Sequence, residues 1–139
     1  MQAPDQQILD RLTVLLRDAT DAEDRVYRSR EEAVSRVPAI VLVPSNEDVS
    51  PISDDLDRAD LIVVVSVLVA GDPFDVLAAP ICAAVHRLIM TDAQLALLAQ
   101  ARLLGRSWEA DGADMTLGKV TIRYRFVCVR RADDIELEA

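Results

Sequence analysis

The sequence predicts an α+β domain, a mixed and largely antiparallel sheet packed by helices, in the order α-β-β-β-α-α-β-β. Residues 61–69, LIVVVSVLV, are apolar on both parities, as expected of a central strand covered on both faces. In the last third, Val120, Ile122, Tyr124, Phe126 and Cys128 occupy one parity while Thr121, Arg123 and Arg125 occupy the other. That period of two marks a strand with one face on the core. Two further stretches instead repeat their apolar residues at helical spacing.

The first of these, Ile8, Leu9, Leu12, Leu15 and Leu16, predicts an opening helix over residues 4–19. Pro4 and Asp5 suit its first turn, where a missing N–H costs little and a negative charge meets the helix dipole. Residues 26–28 are a short strand candidate, and 28–33 a connector with room for one helical turn. Residues 39–43 form a β-branched strand bracketed by Pro38 and Pro44. The polar segment 45–60 reads as a loop whose end leads into the central strand. Gly71-Asp72-Pro73 stops that strand, with Asp72 the expected N-cap and Pro73 the first helical residue.

Phe74, Leu77, Ala78, Ile81, Val85, Leu88 and Ile89 mark one face of the second periodic stretch, a helix to about residue 90, with Pro80 a kink or near its start. Residues 92–99 give a shorter helix. A hairpin follows, with arms at 102–110 and 115–130 joined through Asp111-Gly112, a recognised turn pair. Trp108 is read as an anchor at the end of the first arm. The acidic tail 132–139 is expected to fray.

At 139 residues the chain fits a single domain, 1–139, with a core of its own, and 51% hydrophobic content excludes a disordered chain. No apolar run approaches the ~20 residues that span a bilayer, and MQAPDQQILD lacks the basic start and apolar stretch of a secretory signal. Cys82 and Cys128 have no metal-type spacing and are expected to be reduced core residues. The net charge of −9, from 24 acidic and 15 basic residues, disfavours a general nucleic-acid grip and binding to anionic membranes.

Signatures of chemistry are sparse. The four glycines are scattered, so there is no phosphate-binding loop. His86 stands alone beside an apolar stripe, without a ligand or nucleophile at useful spacing. Neither catalysis nor a cofactor is expected. Two acidic groups remain: Glu47, Asp48, Asp54, Asp55, Asp57 and Asp60 in the 45–60 segment, and Glu109, Asp111 and Asp114 at the hairpin turn. Neither has the D-x-[DN]-x-[DN]-G order that aims several oxygens at one calcium ion. Arg123 and Arg125, with Arg130 a possible third member, lie on the wet side of the last strand. They form either a face that blunts strand-edge association or a docking face for a neighbouring subunit.

With this layout in place, the chain resembles bacteriophage tail terminator proteins, the minor-tail group typified by the lambda tail terminator. The resemblance runs through RVYRSREEA (25–33), NEDVSPI (46–52), RADLIVVVSVLVAGDPFD (58–75), AVHRLIM (84–90) and WEADGADMTLGKVTIRYRF (108–126), and covers nearly the whole chain. It implies a structural role without catalytic residues: a ring of six on the end of the tail tube that halts polymerisation of the tube protein. Such a ring also presents a surface to the head-completion proteins. The resemblance places the chain in the virion tail, with assembly in the host cytoplasm. It makes the acidic 45–60 segment and the 109–116 turn candidates for ring, lumen or partner contact, and Arg123 and Arg125 candidates for the interface. Six copies would bring together a charge of about −54, so salt is expected to favour the ring, and lumen carboxylates would let DNA pass without sticking. A head–tail joining or tail-completion protein is the nearest alternative reading. A small acidic domain that binds a divalent ion or ligand is the alternative from another class.

Overall fold

The structure is a computed structural model that describes residues 3–29, 36–111 and 117–132. Its elements are α1 (Pro4–Leu16), β1 (Val26–Arg28), β2 (Ala39–Pro51), β3 (Leu56–Ala70), α2 (Phe74–Thr91), α3 (Ala93–Leu98), β4 (Gln100–Asp111) and β5 (Leu117–Arg131). The predicted fold class and element order are both found. The five strands form one sheet in the order β1-β2-β3-β5-β4. β1 runs parallel to β2, and every other pairing is antiparallel. β3 is central, as its two-sided apolar run requires.

All three helices cover one face of the sheet. Ile40 and Leu42 of β2, the odd residues 61–69 of β3, and Val120, Ile122, Tyr124 and Phe126 of β5 turn toward it. They meet Ile8, Leu9, Leu12 and Leu16 of α1 and Ala78, Ile81, Cys82, Val85 and Ile89 of α2 in one cluster. Tyr124 and Phe126 are both fully buried, and each such side chain contributes about 1.5–3 kcal/mol on leaving water. α2 is long and apolar enough, at 18 residues, to cross a membrane by length and composition alone. Its buried stripe packs on β3 and β5, while Val76, Leu77 and Met90 remain exposed. Gly118 of β5 lies directly under the Phe74 ring at the start of α2, where no Cβ fits.

Helices α1 and α3 are clamped by one ion pair. Arg11 donates from Nε to Asp92 Oδ2 at 2.8 Å and from Nη2 to Oδ1 at 2.6 Å. Asp92 also N-caps α3, accepting from the Leu95 amide at 2.8 Å. These donors, Arg11 first, hold the Asp92 carboxyl below its ordinary value.

Several boundaries differ from expectation, each for a physical reason. The segment 45–60 is not a loop. β2 continues through Pro51, β3 begins at Leu56, and only residues 52–55 turn between them. β1 pairs with β2 only as far as Leu42, so beyond that point β2 is a sheet edge, where Pro44 and Pro51 forfeit no ladder bond. A register shift between Pro44 and Asn46 absorbs the first proline as a bulge. α1 stops at Leu16, short of residue 19. α2 begins at Phe74 with Pro73 in the N-cap position, so Asp72 makes no cap, while Pro80 is accommodated inside the helix. Trp108 is not a buried anchor; it is 51% exposed, with the Arg106 guanidinium 5.0 Å from its ring centre. The connector after Ser29, the turn 112–116 and the tail beyond Ala132 lie outside the described residues.

Candidate interaction surface

The face of the sheet opposite the helices is buried around Ala39, Val41 and Ser66 and opens toward β5 and β4. Strand register arranges this open face in rows. Ala39, Leu68, Lys119 and Glu109 form one row; Val41, Ser66, Thr121 and Ser107 the next; Val43, Val64, Arg123 and Gly105 the third. Asn46, Ile62, Arg125 and Arg102 then share a row, followed by Asp48, Asp60, Val127 and Gln100. Arg102, Arg123 and Arg125 therefore gather on one surface, around the half-buried Ile62 and Val64.

That gathering depends on a second bulge. Between Leu103 and Gly105 the β4 ladder shifts by one residue, so even-numbered Arg102 joins a face that further along holds odd-numbered Ser107 and Glu109. The bulge at Pro44/Asn46 does the same in β2, turning Asp48 onto the open face.

Electrostatically, the three arginines are poorly compensated. Arg102 and Arg123 are exposed and have no ion pair among the described residues. The Arg125 Nε is buried with no hydrogen-bond partner. The nearby carboxylate Asp60 is held by Arg58, through bonds of 2.9 and 3.2 Å that keep its pKa low, with a smaller contribution from Arg125. Arg102 opposite Arg125 is a like-charge cross-strand pair, an arrangement that costs stability unless something anionic answers it.

The acidic residues scatter over several environments. Asp54 and Asp55 occupy the exposed turn between β2 and β3 and have no side-chain ion pair among the described residues. Ile52 and Leu56, 55% and 38% exposed, flank them. Asp57, in register with Pro51 and Arg130, and Glu47 belong to the helix side of this hairpin. Asp48 is on the open face opposite Asp60, 3.4 Å from the Asn46 amide nitrogen. Glu109 pairs with Lys119 at 3.5 Å. Asp111 is the last residue of β4, in register with Leu117; Asp114 lies outside the described residues. Among the described residues no group of three or more histidine, cysteine or carboxylate side chains comes close enough to hold a metal ion.

Arg130 does not accompany Arg123 and Arg125. It shares the parity of the core residues, faces the helix side and is almost wholly buried. There its guanidinium grips Glu47, Nη2 to Oε1 at 2.9 Å and Nη1 to Oε2 at 3.4 Å, which is what lets a charge occupy that face.

A shallow groove of about 250 Å³ between α2 and β4 is lined by Cys82, His86, Leu103, Arg106 and Tyr124 among others. His86 Nδ1 lies 2.9 Å from the Tyr124 hydroxyl. Burial, with the Cys82 thiol adding to it, pushes the Tyr124 phenol well up, and burial also raises Cys82. Both groups thus stay protonated at neutral pH, the reverse of an activated nucleophile. Both cysteines are free thiols.

No family model matches the chain, and no curated protein does. Among solved structures, the chain is similar to one in the "virion of native gene transfer agent (GTA) particle". The TM-score is 0.53 at 16% sequence identity, with 90% of each chain covered. The likeness is one of fold. It spans helices and sheet together, over nearly the full length of both chains.

Proposed function

We propose that this chain is a structural virion assembly protein of the tail-terminator kind. It forms a ring, of six copies, on the end of the growing tail tube, stops addition of tube protein and presents its outer surface to head-completion proteins. The observation that carries this reading is the end-to-end fold likeness to a chain of a virion particle. The exposed charge on the open sheet face and on the turn between β2 and β3 supports it, because such surfaces suit a protein that works by contact. In this reading the chain performs no catalysis and needs no cofactor. It acts in the virion tail after assembly in the host cytoplasm, and carboxylates from one or both acidic segments face a channel through which DNA passes without being gripped.

Co-purification tests the partner assignment. The protein is expected to come down with tail-tube protein and with a head-completion protein. Recovery with portal or head-closure protein alone, and none with tube protein, would move the assignment to a head–tail joining component.

A further inference from the structure

We propose that the acidic turn between β2 and β3 of one copy, carrying Asp54 and Asp55, seats on the Arg102, Arg123 and Arg125 face of a second copy, a head-to-tail contact that repeats around the ring. This rests on the ring reading above and assigns its mating surfaces.

Each surface carries charge of the sign that the other can answer. The turn presents Asp54 and Asp55 between the exposed Ile52 and Leu56; the two carboxylates share one shallow depression with Arg131 but make no ion pair among the described residues. The sheet face presents Arg102 and Arg123, likewise without ion pairs among the described residues, and the buried unpartnered Nε of Arg125, around Ile62 and Val64. A chain cannot join its own two surfaces. β3 leaves the turn at Leu56 and carries Ile62, the neighbour of Arg125, roughly 20 Å further along at ~3.3 Å per residue. In this proposal the partner surface is supplied by a second copy.

A second copy fits better than nucleic acid. The row beside the arginines is Asp48 and Asp60. A duplex, with a charge about every 1.7 Å of its axis, cannot lie across the arginines without meeting those carboxylates. A compact turn with two carboxylates can. Because turn and face are different patches, the contact is heterologous and closes into a ring when its rotation allows.

The test uses the full chain in three forms besides wild type, followed by sedimentation velocity at ~0.1 M salt. The face variant is Arg102→Glu with Arg123→Glu, both exposed positions. The turn variant is Asp54→Lys with Asp55→Lys. The third form carries all four changes. Wild type is expected to form a closed oligomer, and each two-site variant to lose association by ~10²-fold or more. An equimolar mixture of the two variants should regain the oligomer with the two chains alternating, because the acidic turn of the face variant meets the arginines of the turn variant and the lysine turn of the latter meets the glutamates of the former. The four-site chain should regain the oligomer. Rescue by mixing requires both chains to be folded, so a folding defect cannot imitate it. A wild type that stays monomeric, alone and with tail tubes, would defeat the ring reading and this contact with it. A wild type that assembles while the variants assemble equally, or while their mixture stays monomeric, would overturn the contact and leave the ring. A face variant that loses only duplex-DNA binding would assign the face to nucleic acid.

Discussion

Arg102 and Arg125 stand in register across the β4–β5 ladder, two guanidiniums opposed on the open face of the sheet. Cross-strand like charges destabilise by a few tenths of a kcal/mol up to about 1. Arg102→Glu therefore replaces repulsion with attraction inside the monomer. It is expected to stabilise the isolated chain by ~0.5–1 kcal/mol in urea unfolding, while weakening self-association. A variant less stable than wild type would mean that Arg102 is already compensated.

Glu47 and Arg130 tie the base of the β2–β3 hairpin to the end of β5. The Arg130 side chain is 4% exposed and that of Glu47 25%. Glu47→Ala strands a buried guanidinium and is expected to cost about 2–3 kcal/mol, somewhat less than a fully buried pair because Glu47 keeps some water. Glu47→Met with Arg130→Met should recover most of that loss, since neither partner is left charged. Chemical denaturation of the three chains checks both values; equal losses in the single and double variants would contradict the account.

Asp92 makes the stability of the helical layer sensitive to acid. Its carboxyl is held below the ordinary 3.8 chiefly by the Arg11 hydrogen bond. A group whose pKa is lowered on folding contributes fully above its unfolded value, and that contribution fades as pH falls through the folded one. Asp92→Ala removes both cap and ion pair and is expected to cost about 2 kcal/mol near neutrality. The gap in melting temperature between wild type and variant should hold from about pH 8 to 5 and close below about pH 4. A gap that widens in acid would reverse the sign argued for Asp92.

Salt should act on the ring in two directions. At ~0.1–0.15 M the Debye length of 8–10 Å screens repulsion between whole subunits of charge −9 but leaves contacts at bonding distance largely intact. Near 1 M the length falls to ~3 Å and direct pairs weaken as well. The oligomer is therefore expected to peak at intermediate ionic strength in light scattering. Indifference to salt would contradict both the charge repulsion and the turn-to-face contact.

Much of this architecture was legible in the sequence because periodicity survives folding. The β3 run identified the central strand, and the alternation in β5 placed Arg123 and Arg125 correctly on the outer face. What was hidden arises where the period breaks or where distance matters. Two bulges invert parity, so Arg102 and Asp48 reach the open face from positions that simple alternation would turn inward. Pro44 reads as a strand end because sequence does not show that β1 stops pairing at Leu42. Arg130 has core parity, and only Glu47, 83 residues away, explains how a charge is held there.

Electron microscopy of polymerising tail tubes with the protein added at sub-stoichiometric amounts tests the central claim most directly. The account predicts rings seated on tube ends and a tube length that stops increasing once the ends are capped. Tubes that keep elongating at the control rate, with bare ends, would contradict it.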